Sequence, residues 1–203
     1  MGLLKAGNRD ASAWNAPDDA GDAPRLDHAI ASMRRRAVQA LSGSEGNVGT
    51  LIDVLRQETE NSVRQAAFIA LATMNSGAAA EGVAALLCEA DPALRNGALE
   101  TLAAMPEHAG ALLEPLGRHE DPDVRIFAVL LAGELAHIDT SSWLIDLAGR
   151  EADPNVCSNL AEALGGAGVR AAIPALEGIA ARFADQPFLV FSVDSAIQRL
   201  GER

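Results

Sequence analysis

One apolar pattern recurs along this chain at a nearly constant interval, and that recurrence limits the fold more than any other feature. The segments Asp91-Pro92-Ala93-Leu94-Arg95, Asp121-Pro122-Asp123-Val124-Arg125 and Asp153-Pro154-Asn155-Val156-Cys157 are variants of one another. A weaker copy is Glu60-Asn61-Ser62-Val63-Arg64; Met33-Arg34 opens an earlier copy, and Gln186-Pro187-Phe188-Leu189 a last one. The apolar anchors fall at 33, 63, 94, 124, 156 and 189, so they are spaced by 30, 31, 30, 32 and 33 residues. An apolar residue follows each anchor four positions on (Ala37, Ala67, Ala98, Ala128, Leu160, Val193). Another follows eight positions on (Leu41, Leu71, Leu102, Ala132, Leu164, Ile197). Positions 0, 4, 7 and 8 share one face of an α-helix. A second apolar segment precedes each of these helices, as in Leu51/Val54/Leu55, Val83/Leu86/Leu87, Leu113/Leu116, Leu144/Leu147 and Ile173/Leu176. Each period is therefore two short antiparallel helices, A then B.

The Asp-Pro start has a mechanical reason. Asp accepts hydrogen bonds from free N–H groups at a helix start, and Pro at the first helical position has no N–H to leave unpaired. The composition agrees with an all-helical chain: 41 Ala and 25 Leu in 203 residues, five Phe, two Trp and no Tyr. A β-sandwich or barrel would need more aromatic and β-branched residues. The small Ala at +4 in the first four copies predicts close helix contacts, and the larger Leu160 and Val193 predict that the last two pack more loosely or at a different spacing. Gly165-Gly166-Ala167-Gly168 reads as a loop between a B helix and the next A helix.

These segments resemble the HEAT-like repeat family, in particular the short bacterial type with the pattern D-P-x-V-R-x-x-A-x-x-A-L. Asp121–Leu131 and Glu60–Leu71 match it best, and the resemblance covers roughly residues 26–201. It implies an all-α, right-handed α-solenoid of about five to six helical hairpins, roughly eleven helices. Residues 25–203 form this single domain. Residues 1–24 are rich in turn signals, lack apolar periodicity, and read as a flexible tail in which Trp14 is the one large apolar group. The resemblance also implies that the Arg after each anchor pairs with an Asp of the adjacent repeat. That role falls on Arg34, Arg64, Arg95 and Arg125, with Asp91, Asp121 and Asp153. The ladder breaks at Cys157 and Val190.

Charge and motifs exclude several functions. Sixteen basic residues against 28 acidic give a net charge of −12, which opposes binding to a phosphate backbone. Arg34-Arg35-Arg36 is the one basic run, and no Lys or Arg lies between Arg125 and Arg150, so no basic stripe crosses the chain. No apolar run approaches the roughly 20 residues of a membrane span. The two cysteines, Cys88 and Cys157, form no CxxC pair, and a cytoplasmic location is expected. The N-terminal position of Cys157 on its helix offers one route to a reactive thiol, and substitution for Arg in the ladder is the plainer account. Some HEAT-like proteins are metal-dependent hydroxylases with recurring His-Glu pairs. Among His28, His108, His119 and His137, the single His-Glu here is His119-Glu120, and Glu107-His108 reverses the order. His119 is expected to close an A helix. Neither cofactor nor metal is expected.

The B helices should expose positions +2, +5, +6 and +9, which point about 140–240° away from the anchor. Several of these residues are apolar. Phe68, Ile69, Leu99, Ile126, Val129 and Leu130 form a candidate partner-binding groove on the concave face. Position +5 lies at the flank, so Phe68, Leu99 and Val129 also fit packing against neighbouring repeats, whereas Ile69, Ile126 and Leu130 still need covering. The expected function is a non-catalytic adaptor or scaffold that binds another protein, with a signalling component or a second copy of the chain among the candidates. A chromophore chaperone or lyase of the phycobilin-lyase type is the alternative, and a metal-dependent hydroxylase a more distant one.

Overall fold

The computed structural model describes residues 25–135 and 138–202; Trp14 and His137 lie outside them. Eleven α-helices occupy the described residues, and no strand does. The B helices are α1 (Ala31–Gln39), α3 (Asn61–Met74), α5 (Pro92–Ala103), α7 (Pro122–Glu134), α9 (Pro154–Ala167) and α11 (Pro187–Gly201). The A helices are α2 (Val48–Gln57), α4 (Gly77–Ala84), α6 (Pro106–Leu116), α8 (Ser141–Arg150) and α10 (Ile173–Arg182). Among the described residues, five A–B hairpins thus follow the B helix α1, as the periodicity predicts. Each B helix packs on the next, from α1 to α11, while α2 lies on α4, α4 on α6, and α8 on α10. The result is a two-layered all-α solenoid.

Local chemistry explains where the helices begin. Asp91, Asp121 and Asp153 are N-caps whose carboxylates accept from the N–H groups of Ala93, Asp123, and both Asn155 and Val156. A proline follows each. Ser76 caps α4 by accepting from the Ala79 N–H. All six anchors are buried: Met33, Val63, Leu94, Val124, Val156 and Leu189. They join Leu51, Leu55, Val83, Leu113, Leu144 and Leu176 of the A helices in the seam between the layers. No buried side-chain N or O atom among the described residues lacks a hydrogen-bond partner, as a settled interior requires.

Two expectations are corrected here. Gly165 and Gly166 lie inside α9, and the helix ends at Gly168, whose φ of 75° is the left-handed cap that favours glycine. Of the two alternatives for the last two B helices, looser packing is also overturned, and their spacing differs by being closer. The α9–α11 contact is the most intimate in the B layer, followed by α1–α3 and α7–α9, with α3–α5 and α5–α7 the least. The residue at +4 faces the A–B seam and does not set this spacing. The residue at +5 follows it closely: Ala161 on α9, Val38 on α1 and Val129 on α7, but Phe68 on α3 and Leu99 on α5. Gly165 completes the close approach, since a Cβ there would lie 2.9 Å from the Ala196 Cβ.

Candidate functional site

The arginine after each of the first four anchors serves as a latch at the loop end of the B layer. Each donates to carbonyl oxygens at the start of its own helix: Arg34 to His28 and Ala29, Arg64 to Glu58, Arg95 to Glu89 and Ala90, Arg125 to His119 and Glu120. The other end of the latch reaches the next repeat. Arg64 meets Asp91 at 2.7 Å. Arg34 and Arg125 instead make paired hydrogen bonds to Glu58 and Glu151, at 2.7 and 3.0 Å and at 2.9 and 2.9 Å. Of the three aspartates assigned to the ladder, Asp91 alone accepts an arginine; Asp121 and Asp153 are helix caps.

The reason lies five residues before each anchor, where His28, Glu58, Glu89, His119 and Glu151 occupy equivalent places. Glu58 and Glu151 each accept an arginine and also the N–H groups of the two following residues. Glu89 turns to Arg56 at 2.8 Å, which leaves Arg64 to Asp91. His119 stands where Arg95 would need a carboxylate, so Arg95 has no ion pair among the described residues and its guanidinium lies 6.0 Å from the centre of the Phe127 ring. His119 is not a helix-closing residue, since α6 ends at Leu116. Its Nδ1 accepts from the Asp121 N–H at 3.1 Å and its Nε2 lies 3.7 Å from the Cys88 Sγ.

These contacts set the charges. Hydrogen bonds from Arg34, opposed by burial and helped by the Thr59 and Glu60 amides, hold the Glu58 carboxyl down at about 2. Burial pushes the Glu151 carboxyl up, but Arg125 and the Asp153 and Ala152 amides bring it below the ordinary carboxylate range. Cys157 is fully buried, and burial pushes its thiol up to about 11 despite Arg182 nearby. The reactive-thiol reading of Cys157 is thereby corrected. Arg182 fills the gap in the ladder by donating to the Ala148 and Glu151 carbonyls.

The opposite face of the B layer carries the apolar candidates, and they divide. Val129 is 1% exposed and belongs to the core, which removes it from the groove. Leu99, Ile126 and Phe68 are partly buried against that core. Ile69 and Leu130 stand out to solvent, at 58% and 40%. Phe68 and Ile69 line a groove of about 420 Å³ between α3 and α5. Gly97 lets the Phe68 ring lie against α5, because a Cβ there would collide with the ring. A second groove of about 340 Å³, between α5 and α7, is lined by Asn96, Leu99, Glu100, Ala103 and Glu134. Asn96 and Glu100 border both grooves. The two most exposed large apolar residues among the described ones were not among the candidates: Phe188 and Phe191 on α11, at 90% and 72%. Their signal was the outward direction of positions −1 and +2 on the last described B helix.

Among the described residues, no group of three or more His, Cys, Asp or Glu side chains is placed to hold a metal ion. No described helix is long and apolar enough to cross a membrane. The stacked hairpins and capped B helices define the class: a helical-repeat solenoid. Within it, residues 109–187 match the family described as HEAT repeats, and the HEAT-like resemblance of the sequence is shown on that span. No curated protein matches the chain. Similar solved structures include an engineered protein at 16% identity, which covers 87% of this chain and 94% of that one with a TM-score of 0.40. Another is a designed armadillo repeat protein at 18% identity, covering 86% and 96%, with a TM-score of 0.39. The complex of CpcE and CpcF of phycocyanin lyase from Nostoc sp. PCC7120 is similar at 22% identity, covering 83% and 74%, with a TM-score of 0.32.

Proposed function

We propose that this protein is a non-catalytic, cytoplasmic interaction module that binds another protein through the exposed face of its B layer. The observation that carries the reading is the exposure of Ile69 and Leu130 above half-buried Phe68, Leu99 and Ile126. A solvated helix face has no need of such residues, and exposed apolar side chains set among polar ones are a usual feature of a docking surface. The arginines, by contrast, are spent on holding repeats together, and the buried Cys157 thiol is a poor nucleophile.

The double variant Ile69→Asp/Leu130→Asp tests this reading. Both side chains are exposed, so the variant should keep the helical circular dichroism of the parent. Affinity purification from the source organism should recover a defined partner with the parent chain and lose it with the variant. Recovery of the same proteins by both chains, in equal amounts, would overturn the reading.

A further inference from the structure

The two grooves beside α5 form one track, and its charge specifies what it takes. They meet at Asn96 and Glu100, so the track runs from Phe68 and Ile69 across α5 to Leu99 and Glu134. Its floor is apolar, with the Phe68 ring resting against Gly97. Glu100, in the middle of the track, and Glu134, at its α7 end, are exposed and have no ion pair among the described residues. The cations of the same helices are committed elsewhere. Arg64, which borders the first groove, is held by Asp91 and the Glu58 carbonyl; Arg95 and Arg125 are tied to the loops before their helices. Asn96, Leu99, Glu100, Ala103 and Glu134 include no cation. The apolar surface of each groove thus runs beside an unneutralised carboxylate, Glu100 where the two meet and Glu134 at the α7 end.

We propose that the track binds an amphipathic protein segment with large apolar side chains on one face and Lys or Arg beside them. This rests on the docking reading above and adds the chemistry of the partner. Apolar side chains of the segment cover Ile69 and fill the space over Phe68 and Leu99, and its cations face Glu100 and Glu134. Three adjacent helices at a spacing of about 8–10 Å give a track about 20 Å long, the length of a helix of roughly 13–14 residues. A segment with acidic side chains over α5 and α7 would meet like charge at Glu100 and Glu134, and that repulsion supplies specificity.

The test uses labelled 14-residue amphipathic peptides that share the same leucine positions, one completed with lysine and one with glutamate. Fluorescence anisotropy against the full chain near physiological salt reads the affinities. The lysine peptide should bind saturably and the glutamate peptide should not. Glu100→Gln/Glu134→Gln should weaken the lysine peptide about tenfold, the effect of two exposed charge pairs of under 1 kcal/mol each. Glu81→Gln/Glu107→Gln removes the same charge from the exposed surface of α4 and α6, and should leave affinity within about twofold. Equal effects of the two glutamine pairs, tight binding of the glutamate peptide, or no binding of the lysine peptide would each overturn the proposal. Loss of lysine-peptide binding in Ile69→Asp/Leu130→Asp without loss in Glu100→Gln/Glu134→Gln would overturn the charge assignment and leave the docking surface standing. Binding unchanged by either pair would overturn both.

Discussion

Glu58 and Glu151 show how one residue position decides whether neighbouring repeats are latched. Each lies five residues before an apolar anchor, where its carboxylate takes two loop amides and an arginine from the preceding repeat at once. His119 in the same position takes an amide, and Arg95 is left on backbone carbonyls and a phenyl face. The Glu58 latch should be visible in pH dependence. Its folded carboxyl titrates at about 2 against an ordinary 4.5, so it stabilises fully above about pH 4.5 and that contribution is lost as pH falls toward 2. Glu58→Gln should therefore be less stable than the parent at pH 7 by about 1 kcal/mol, a charge-assisted pair discounted for the solvent that reaches it. The two should converge as the medium is acidified. Urea unfolding at several pH values checks this, and a constant difference down to pH 2 would contradict it. The pairing partner was hidden in the sequence because Glu58 and Asp91 are both acidic residues near a helix start. Side-chain reach and local competition, such as Glu89 turning to Arg56, choose between them.

Helix starts were legible at the scale of the element, and helix spacing was not. Asp-Pro at 91, 121 and 153 marks three helix starts, and the structure uses all three as caps. The spacing of B helices follows +5, with Ala161, Val38 and Val129 at the close contacts and Phe68 and Leu99 at the wide ones. Adjacent glycines in α9 separate packing from helix propensity. Gly165→Ala would place a methyl 2.9 Å from the Ala196 Cβ and 3.1 Å from its Cα, and should cost about 1–3 kcal/mol through overpacking. Gly166→Ala meets nothing within 4 Å and should gain about 0.5 kcal/mol by relieving glycine's backbone entropy. Thermal unfolding of the two variants should shift in opposite directions. A gain for both would mean that α11 does not lie against Gly165.

The whole molecule is a chain of nearest-neighbour contacts, so its stability need not be uniform. Helix α5 makes the least intimate contacts in the B layer, flanks both grooves, and carries Gly97 in its middle. Its amides should exchange with deuterium faster than those of α9, by about tenfold or more, a difference of at least about 1.4 kcal/mol in local opening. Native-state exchange with peptide-level mass spectrometry reads this directly, and equal protection of α5 and α9 would contradict it. A segment bound in the track should slow α5 selectively. The sequence by itself determined the all-α class, the repeat length, the helix caps and the buried anchors, because these depend on contacts within one period. The tertiary structure decided which acid each arginine meets, that Val129 is buried while Ile69 and Leu130 are exposed, and where the layer opens into grooves. Those outcomes depend on the distance between successive periods, which is set by the volumes of side chains some 30 residues apart meeting across a gap.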